Sequence, residues 1–139
     1  MISALILAIF AWQGVPSRGR EVEIEQTISS MSVKWGVPAD VLTWTSFFES
    51  SWRQDSVGKR GELGPVQIMP NGPIARKCRS IGLDVAQWDC AAFTVAEEWR
   101  ECGGIWECFW RTHACGSIRG DCGKKTSGVR EHIRKKIGW

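Results

Sequence analysis

Residues 37–52 read VPADVLTWTSFFESSW, and they carry the clearest signal of the fold in this chain. Val37 and Pro38 predict the start of a helix, because proline is favoured in the first helical turn. Apolar side chains cover most of the circumference of that helix; they are Val41, Leu42, Trp44, Phe47, Phe48 and Trp52, with Thr45 among them. A helix that is apolar nearly all round is buried at the centre of its domain.

Helical spacing continues on both sides of this stretch. Ile24, Ile28, Met31 and Trp35 recur at intervals of four, three and four, and Gly36 predicts the end of their helix. Further helices are predicted over residues 74–81, from Asp89 as N-cap to Trp99, over residues 105–115, and around Val129, Ile133 and Ile137. Glycine and proline recur over residues 55–73, which excludes regular helix there. The fold class predicted is mainly α, with a small β-hairpin or a shaped loop.

The length of the chain and its balance of residues exclude several classes of protein. At 139 residues it can bury one hydrophobic core, and 43% apolar with 24% charged residues excludes a disordered tail. No later apolar run is long enough for a polytopic membrane protein. Residues 119–139 carry seven lysines or arginines against two acids, so this end is basic. A basic end can meet nucleic acid, anionic lipid or the carboxylates of a cell wall, and charge alone does not choose among them.

The N-terminal segment is apolar and uncharged. Residues 1–17 carry no charge, and residues 2–12 read ISALILAIFAW, before the positively charged Arg18. A run of this length suits the apolar core of a signal peptide better than a membrane span. We therefore predict that residues 1–17 are a signal peptide, that residues 18–139 are one domain, and that the protein is periplasmic or secreted, without stable membrane insertion after processing. The alternative is a buried N-terminal helix.

Six cysteines are many for a short chain, and their number is even: Cys78, Cys90, Cys102, Cys108, Cys115 and Cys122. In an exported protein they predict up to three disulfides, whose pairing the sequence leaves open. The alternative is a zinc site, because His113 lies among the last four cysteines. None of the spacings is the Cys-x-x-Cys of common structural zinc sites.

Glu49 is the candidate catalytic residue. It follows Phe47 and Phe48 at the end of the apolar helix, where desolvation would disfavour a charged carboxylate. A carboxyl group that stays protonated near neutral pH can serve as a general acid. On this segment alone, a glutamate on the exposed side of the helix explains the residue equally well.

A second motif follows at residues 61–70, which read GELGPVQIMP. Together with Glu49-Ser50, it resembles the lysozyme-like lytic transglycosylases, in which a Glu-Ser pair ends a core helix and a Gly-x-x-Gly-x-x-Gln-x-Met-Pro stretch follows about a dozen residues later. Gly61, Gly64, Gln67, Met69 and Pro70 match that stretch. The likeness covers roughly residues 21–116, including Gly36-Val37-Pro38 and, more loosely, residues 89–99.

This resemblance implies a lysozyme-like helical domain that cleaves the β-1,4 bond between N-acetylmuramic acid and N-acetylglucosamine in peptidoglycan strands. It implies Glu49 as the catalytic residue and Ser50, Gln67 and Met69 as substrate-binding residues, with no metal and no organic cofactor. The glutamine amide can donate and accept hydrogen bonds with hydroxyl and N-acetyl groups, and methionine offers a soft apolar wall. Wall remodelling, a secretion or conjugation apparatus, and a phage are all compatible biological settings.

The chain departs from the family pattern at two positions. The family has an Ala-Tyr-Asn-x-Gly motif in a later helix, whereas this chain has no tyrosine and carries His113 in the corresponding Thr-His-Ala-Cys-Gly stretch. His113 is therefore a candidate substrate-binding residue. Glu62 stands where the family commonly has a small residue, which makes it a candidate second carboxylate.

Three alternative functions remain open at this point. A hydrolytic lysozyme would use Glu49 together with Glu62, because such enzymes employ two carboxylates. A non-catalytic peptidoglycan-binding module would keep the groove but has no need of Glu49. A zinc-stabilised nucleic-acid binder would leave the spacing of the two motifs unexplained.

Overall fold

The computed structural model describes residues 2–115 and 124–139, with side chains over residues 2–114 and 128–139. The described residues form seven helices, α1 (Ile2–Gln13), α2 (Arg20–Trp35), α3 (Ala39–Ser50), α4 (Pro73–Ser80), α5 (Trp88–Glu101), α6 (Trp106–Cys115) and α7 (Lys124–Ile137). Isolated antiparallel bridges join Val57 to Leu63 and Leu63 to Ile68. The prediction of a mainly α fold is confirmed.

The chain divides into two compact units. Unit 1 comprises Met1–Gln26 and Glu98–Trp139, and unit 2 comprises Thr27–Glu97. Helices α2 and α5 each run from one unit into the other. All of α3 and the loop that follows it belong to unit 2.

Helix α3 forms the core of unit 2, as its apolar circumference predicted. Every residue from Val41 to Phe47 is buried. The three buried hydroxyls of this segment donate hydrogen bonds of 2.6–2.7 Å to carbonyl oxygens four residues earlier; they belong to Thr43, Thr45 and Ser46. Because these bonds satisfy the three hydroxyls, Thr43, Thr45 and Ser46 can be buried together with the apolar side chains of the helix.

Side chains near the end of α2 contact α5 within unit 2. The Trp35 indole donates a 2.9 Å hydrogen bond to Asp89 Oδ1 and meets the Phe93 ring edge-on at 5.5 Å between centroids. Lys34 Nζ lies 2.6 Å from the same carboxylate. Helix α2 ends at Trp35 as predicted, and Gly36 follows with a φ of +67°. The prediction of Asp89 as N-cap is wrong by two residues, because α5 begins at Trp88 and Asp89 lies within its first turn. The Asp89 carboxylate bonds to α2 instead.

Two disulfides link four of the six cysteines. Cys78 of α4 is joined to Cys90 of α5 in unit 2, and Cys102 is joined to Cys108 in unit 1. The prediction of disulfide bonds is confirmed for these pairs. A disulfide sulfur carries no thiolate to ligate zinc, so Cys102 and Cys108 cannot serve the alternative zinc site while their bridge is formed. The side chain of Cys115 and all of Cys122 lie outside the described residues.

Helix α1 packs within unit 1. One of its faces is buried, consisting of Ile2, Leu5, Ile6, Ile9 and Phe10. Helix α7 packs against both α1 and α6, and its Ile133 side chain is fully buried. Burial of one face is compatible with the alternative of a buried N-terminal helix, and the signal peptide over residues 1–17 stays a prediction. Among the described residues, no helix is both long and apolar enough to cross a membrane.

Candidate functional site

A sharp backbone reversal ends α3 immediately after Glu49 and Ser50. Ser51 and Trp52 both take left-handed conformations, with φ of +53° and +64°. The sequence predicted Trp52 within the helix, and this was wrong, because the Trp52 side chain folds back over α3. Its indole donates a 3.0 Å hydrogen bond to the carbonyl oxygen of Thr43, and its ring lies 5.1 Å from that of Phe47. Burial of this large side chain offsets the strain of two left-handed residues.

The reversal leaves Glu49 in the last turn of α3, partly buried in unit 2. Phe48, beside it in sequence, is also partly buried and stacks on Trp44 at 5.8 Å between ring centroids. A carboxyl group at the end of a buried aromatic helix is held by a rigid element, as a proton donor requires. Glu49 therefore lies at the end of the buried helix, and its catalytic role stays a prediction.

The Ser50 hydroxyl connects the end of α3 to the second motif. Its single hydroxyl proton faces two carbonyl oxygens, that of Pro65 at 2.7 Å and that of Ser46 at 3.0 Å from Oγ. Oγ also accepts a hydrogen bond from the Arg53 amide at 3.1 Å. Ser50 and Pro65 are both buried. The two motifs, which are separated in sequence, therefore meet through a buried hydrogen bond.

Backbone hydrogen bonds close the loop after α3 into a compact turn system. Leu63 and Ile68 exchange two bonds of 2.9 Å, and the Gly58 amide donates to Glu62 O at 2.8 Å. The Gly64 amide donates to Ser56 O at 3.0 Å. These bonds give the small β element that the sequence predicted as a hairpin or a shaped loop.

Gly64 is the position where this loop approaches another backbone segment most closely. Its φ is +82°, and a Cβ at this position would lie 2.9 Å from the carbonyl oxygen of Ala86 and 3.1 Å from two further Ala86 atoms. Only glycine combines this backbone conformation with so close an approach to another backbone segment. The fold itself therefore requires glycine at position 64, whether or not the loop binds a ligand.

Gln67 occupies a left-handed conformation with a φ of +55°. Its side-chain Nε2 donates to the carbonyl oxygens of Gly64 at 3.0 Å and Ser56 at 3.2 Å. The amide nitrogen is therefore used to hold the loop. Its Oε1 lies close to Gly58, only 2.5 Å from the position that a Cβ on that residue would occupy. The absence of a side chain on Gly58 leaves room for this oxygen.

The Glu62 carboxylate also lies against Gly58, next to the Gln67 side chain. One carboxylate oxygen of Glu62 also lies where a Gly58 Cβ would stand. The other, Oε1, is buried and has no hydrogen-bond partner in the described structure. The loop thus brings a carboxylate and an amide oxygen side by side, and two acceptors together can receive hydrogen bonds from a ligand rich in hydroxyl and amide donors.

Met69 is the most exposed of the residues predicted to bind substrate, at 45% of its full accessible surface. It follows the buried Ile68, and its carbonyl oxygen accepts a 3.1 Å hydrogen bond from the Gly72 amide. The turn therefore holds the backbone at Met69 while its side chain remains accessible. Its role in substrate binding stays a prediction.

His113 lies in unit 1 and pairs with a carboxylate there. Its Nδ1 is 3.3 Å from both oxygens of Glu98, and its side chain is only 5% exposed. The ring stacks on Phe109 at 5.8 Å between centroids. Sequence reasoning missed Glu98, although helical spacing could have found it, because Glu98 falls three residues after the buried Val95 and four before the buried Cys102.

Comparison with models of protein families, with curated proteins and with solved structures finds no match to this chain.

Proposed function

We propose that the chain is a peptidoglycan lytic transglycosylase. The observation that carries this proposal is the buried hydrogen bond from Ser50 Oγ to the Pro65 carbonyl oxygen, at 2.7 Å. It joins the end of the helix that bears Glu49 to the Gly-x-x-Gly-x-x-Gln-x-Met-Pro loop. A general acid and a saccharide groove must lie together, and these are the two motifs that resemble that family.

In the proposed reaction Glu49 acts first as an acid and then as a base. It gives its proton to the glycosidic oxygen between N-acetylmuramic acid and N-acetylglucosamine as that bond breaks. The carboxylate then takes the proton of the sugar's own 6-hydroxyl, whose oxygen forms a bond to the anomeric carbon. The product is a 1,6-anhydromuramic end, no water is consumed, and Glu49 regains its proton. An intramolecular nucleophile at high effective concentration lets one carboxylate suffice.

The loop residues recognise the sugar in this proposal. Gln67 Oε1 accepts from hydroxyl or N-acetyl donors, because its Nε2 is engaged by Ser56 and Gly64. Met69 supplies an exposed apolar surface. The Ser50 hydroxyl is buried and already bonds to protein atoms, so we assign it the positioning of the loop beside Glu49.

We further propose that the protein works outside the cytoplasm, in the periplasm or after secretion. The disulfides Cys78–Cys90 and Cys102–Cys108 fit an oxidising compartment. Peptidoglycan is found there as well, so compartment and substrate agree.

A hydrolytic lysozyme is the second candidate, and one observation favours it. Glu62 stands beside Gln67 on the motif loop, and its buried Oε1 has no hydrogen-bond partner in the described structure. A second carboxylate on the groove could activate water or stabilise the cationic transition state.

To test the proposal, the protein is incubated with purified sacculi and the released muropeptides are analysed by mass spectrometry. We expect products with 1,6-anhydromuramic ends, lighter by one water molecule than hydrolytic products. Glu49→Gln should lower the rate by at least about 100-fold, since a general acid contributes about 10² to 10⁴. The exposed Glu23→Gln in α2 is the matched control and should retain full activity. Clearance of cell walls by folded Glu49→Gln at more than a tenth of the wild-type rate contradicts the assignment.

Glu62→Gln separates the two enzymes. If Glu62 only shapes the groove, its variant should stay much more active than Glu49→Gln and give anhydro products. Reducing ends on the wild-type products, together with an inactive Glu62→Gln, would instead establish the lysozyme.

A further inference from the structure

The loop that follows α3 in unit 2 brings two hydrogen-bond acceptors together at Gly58. Gln67 Oε1 lies 2.5 Å from the position of a Cβ on Gly58, and Glu62 Oε2 lies closer still to the same position. These two oxygens, which we call the acceptor pair, are therefore neighbours, and neither a carboxylate nor an amide oxygen has a proton to give the other. Glu62 and Gln67 are both partly exposed, so the acceptor pair can be reached from solvent.

Protein atoms hold the acceptor pair in place without neutralising it. Gln67 Nε2 donates to the carbonyl oxygens of Ser56 and Gly64, which fixes the direction of Oε1. The backbone of Glu62 is held by the 2.8 Å hydrogen bond that its carbonyl oxygen accepts from the Gly58 amide. The other carboxylate oxygen, Glu62 Oε1, is buried without a hydrogen-bond partner in the described structure. A carboxylate that is held but left unsatisfied favours a ligand that supplies protons and positive charge.

The cations of the same loop leave this carboxylate available. Lys59 and Arg60 precede Glu62 by three and two residues, and both are exposed. No ion pair joins either side chain to Glu62 within the part of the chain that the structure describes. The charge of Glu62 is therefore not cancelled by a neighbouring side chain.

The number of protons that a ligand can donate decides which ligand fits the acceptor pair. A sugar hydroxyl or the amide of an N-acetyl group has one proton and can serve one of the two oxygens. A primary ammonium has three protons, and its charge-assisted hydrogen bonds are about twice as strong as neutral ones. A divalent cation fits less well, because calcium takes about six to eight oxygen ligands and the described residues contain no group of three acidic, histidine or cysteine side chains able to hold a metal.

We infer that the acceptor pair binds the ammonium group of a de-N-acetylated glucosamine residue, so that the proposed enzyme prefers glycan strands with free amines. This inference rests on the proposed function, because it takes the loop after α3 as a wall of the saccharide groove. Removal of the acetyl group leaves the nitrogen on the same sugar carbon and replaces one amide proton by three ammonium protons. Glu62 is then the residue that sets the preference, and Gln67 completes the site.

Calorimetric titration of the full chain with two tetrasaccharides tests the inference. The tetramer of β-1,4-linked glucosamine carries free amines, and the tetramer of N-acetylglucosamine has the same linkage without them. At about pH 5.5 the free amines carry a positive charge. We expect the wild type to bind the amine tetramer about tenfold more tightly, since a hydrogen bond between charged groups contributes about a decade of affinity or more.

Two variants test the acceptor pair itself. Glu62→Gln keeps the volume of the side chain and removes its charge, so it should weaken binding of the amine tetramer about tenfold. Binding of the N-acetylated tetramer should change by less than about twofold, because the new amide oxygen still accepts from a neutral donor. Gly58→Ala places a Cβ against both oxygens and should displace them, which weakens binding of the amine tetramer without changing any charge. The backbone at Gly58 is not left-handed and the atoms that must move are side-chain ends, so the fold can accommodate alanine.

The matched control is Asp55→Asn, which removes an exposed carboxylate of the same loop and should bind both tetramers as the wild type does. Equal binding of the two tetramers by the wild type, binding of neither, or equal losses in Glu62→Gln and Asp55→Asn would each overturn the inference. Wild-type binding by a Gly58→Ala variant with wild-type circular dichroism would overturn it as well. Every other variant must also show wild-type circular dichroism.

Cleavage of sacculi, measured separately, distinguishes failure of this inference from failure of the proposed function. Cleavage together with equal binding of the two tetramers would overturn the inference and leave the transglycosylase proposal in place. A preference for the amine tetramer that depends on Glu62, without any cleavage of sacculi, would support the inference and contradict the proposed activity.

Discussion

At the residue scale, Gly64 and Gly61 allow the loop geometry to be tested with one substitution. Both have positive φ, but a Cβ on Gly64 meets the Ala86 backbone while one on Gly61 meets nothing within 4 Å. We expect Gly61→Ala to cost about 1 kcal/mol of unfolding free energy, from the left-handed backbone alone. Gly64→Ala should cost clearly more, by roughly 1–3 kcal/mol, because the backbone must also move. Equal urea midpoints for the two variants would contradict the close approach to Ala86.

Ser50 offers a second test at this scale. Ser50→Ala leaves the buried Pro65 carbonyl oxygen without its 2.7 Å hydrogen bond, and an unpaired buried acceptor costs about 1–3 kcal/mol. The control is Ser80→Ala. The Ser80 hydroxyl bonds to the Lys77 carbonyl oxygen at the exposed end of α4, so its removal should lower the unfolding free energy by less than about 0.5 kcal/mol. Urea denaturation measures both. If Ser50→Ala unfolds like the wild type, the bond between the two motifs contributes nothing.

The sequence predicted which residues form the candidate site better than it predicted what their atoms do. Glu49, Ser50 and Gln67 could be named from their motif spacing. Engagement of the Gln67 amide nitrogen by Ser56 and Gly64 depends on a left-handed φ that glutamine rarely adopts, and no local pattern predicts it. The partner of His113 was missed because charge alone does not distinguish Glu98 from the other acids of residues 97–101, although its helical spacing to Val95 and Cys102 does.

At the scale of elements, Asp89 ties α5 to α2. The hydrogen bond from Lys34 is the largest cause that lowers the pKa of this carboxyl, the Trp35 indole and the charge of Lys34 lower it further, and partial burial opposes them. A lowered pKa in the folded state means that the carboxylate stabilises the fold above its unfolded pKa of about 3.9. That contribution is lost as the pH falls through the folded pKa.

Asp89→Asn should therefore be less stable than the wild type at pH 7, by at most about 1 kcal/mol, since the ion pair is partly exposed. The difference should stay constant down to about pH 4 and narrow below it. Guanidinium denaturation of both proteins at several pH values measures it. If the difference in unfolding free energy between the two proteins instead grows as the pH falls, the Asp89 carboxylate does not stabilise the fold through its charged form.

The disulfides also act at the scale of elements, and they differ in loop length. Cys78–Cys90 spans 12 residues and joins two helices, whereas Cys102–Cys108 spans 6. A disulfide that closes a longer loop removes more entropy from the unfolded chain, and each doubling of loop length adds about 0.6 kcal/mol to the stabilisation. Replacing both cysteines of a pair by serine should therefore destabilise more at Cys78 and Cys90, by about 3 kcal/mol against about 2. Thermal unfolding of the two double variants decides the order.

Element boundaries could be predicted where one local signal acts. Gly36 ended α2 as expected, since a left-handed glycine needs no distant partner. The end of α3 was misjudged because the return of Trp52 depends on the Thr43 carbonyl oxygen and the Phe47 ring, which belong to the body of the helix. Apolar spacing alone counts such a tryptophan as a continuation of the helix.

At the scale of the whole molecule, the periodicity of apolar residues predicted a mainly α chain correctly. What it could not predict is the environment of α1, because a segment that is apolar on every side reads alike as a signal peptide and as a buried helix. Burial of one of its faces within unit 1 depends on α7, more than 100 residues later in the sequence. Contacts over such a separation leave no trace in a local pattern.

The contribution of α1 can be measured by comparing residues 18–139 with the full chain. Truncation removes five buried apolar side chains from unit 1, Ile2, Leu5, Ile6, Ile9 and Phe10. Full burial of such a side chain contributes about 1.5–3 kcal/mol as an upper estimate, and whole domains are stable by only about 5–15 kcal/mol. Unit 1 should therefore lose most of its stability, while α3 keeps the core that it forms within unit 2. Hydrogen exchange should show lost protection in α6 and α7 but retained protection in α3. If α7 remains equally protected without residues 1–17, the folded protein does not need α1, as a cleaved signal peptide requires.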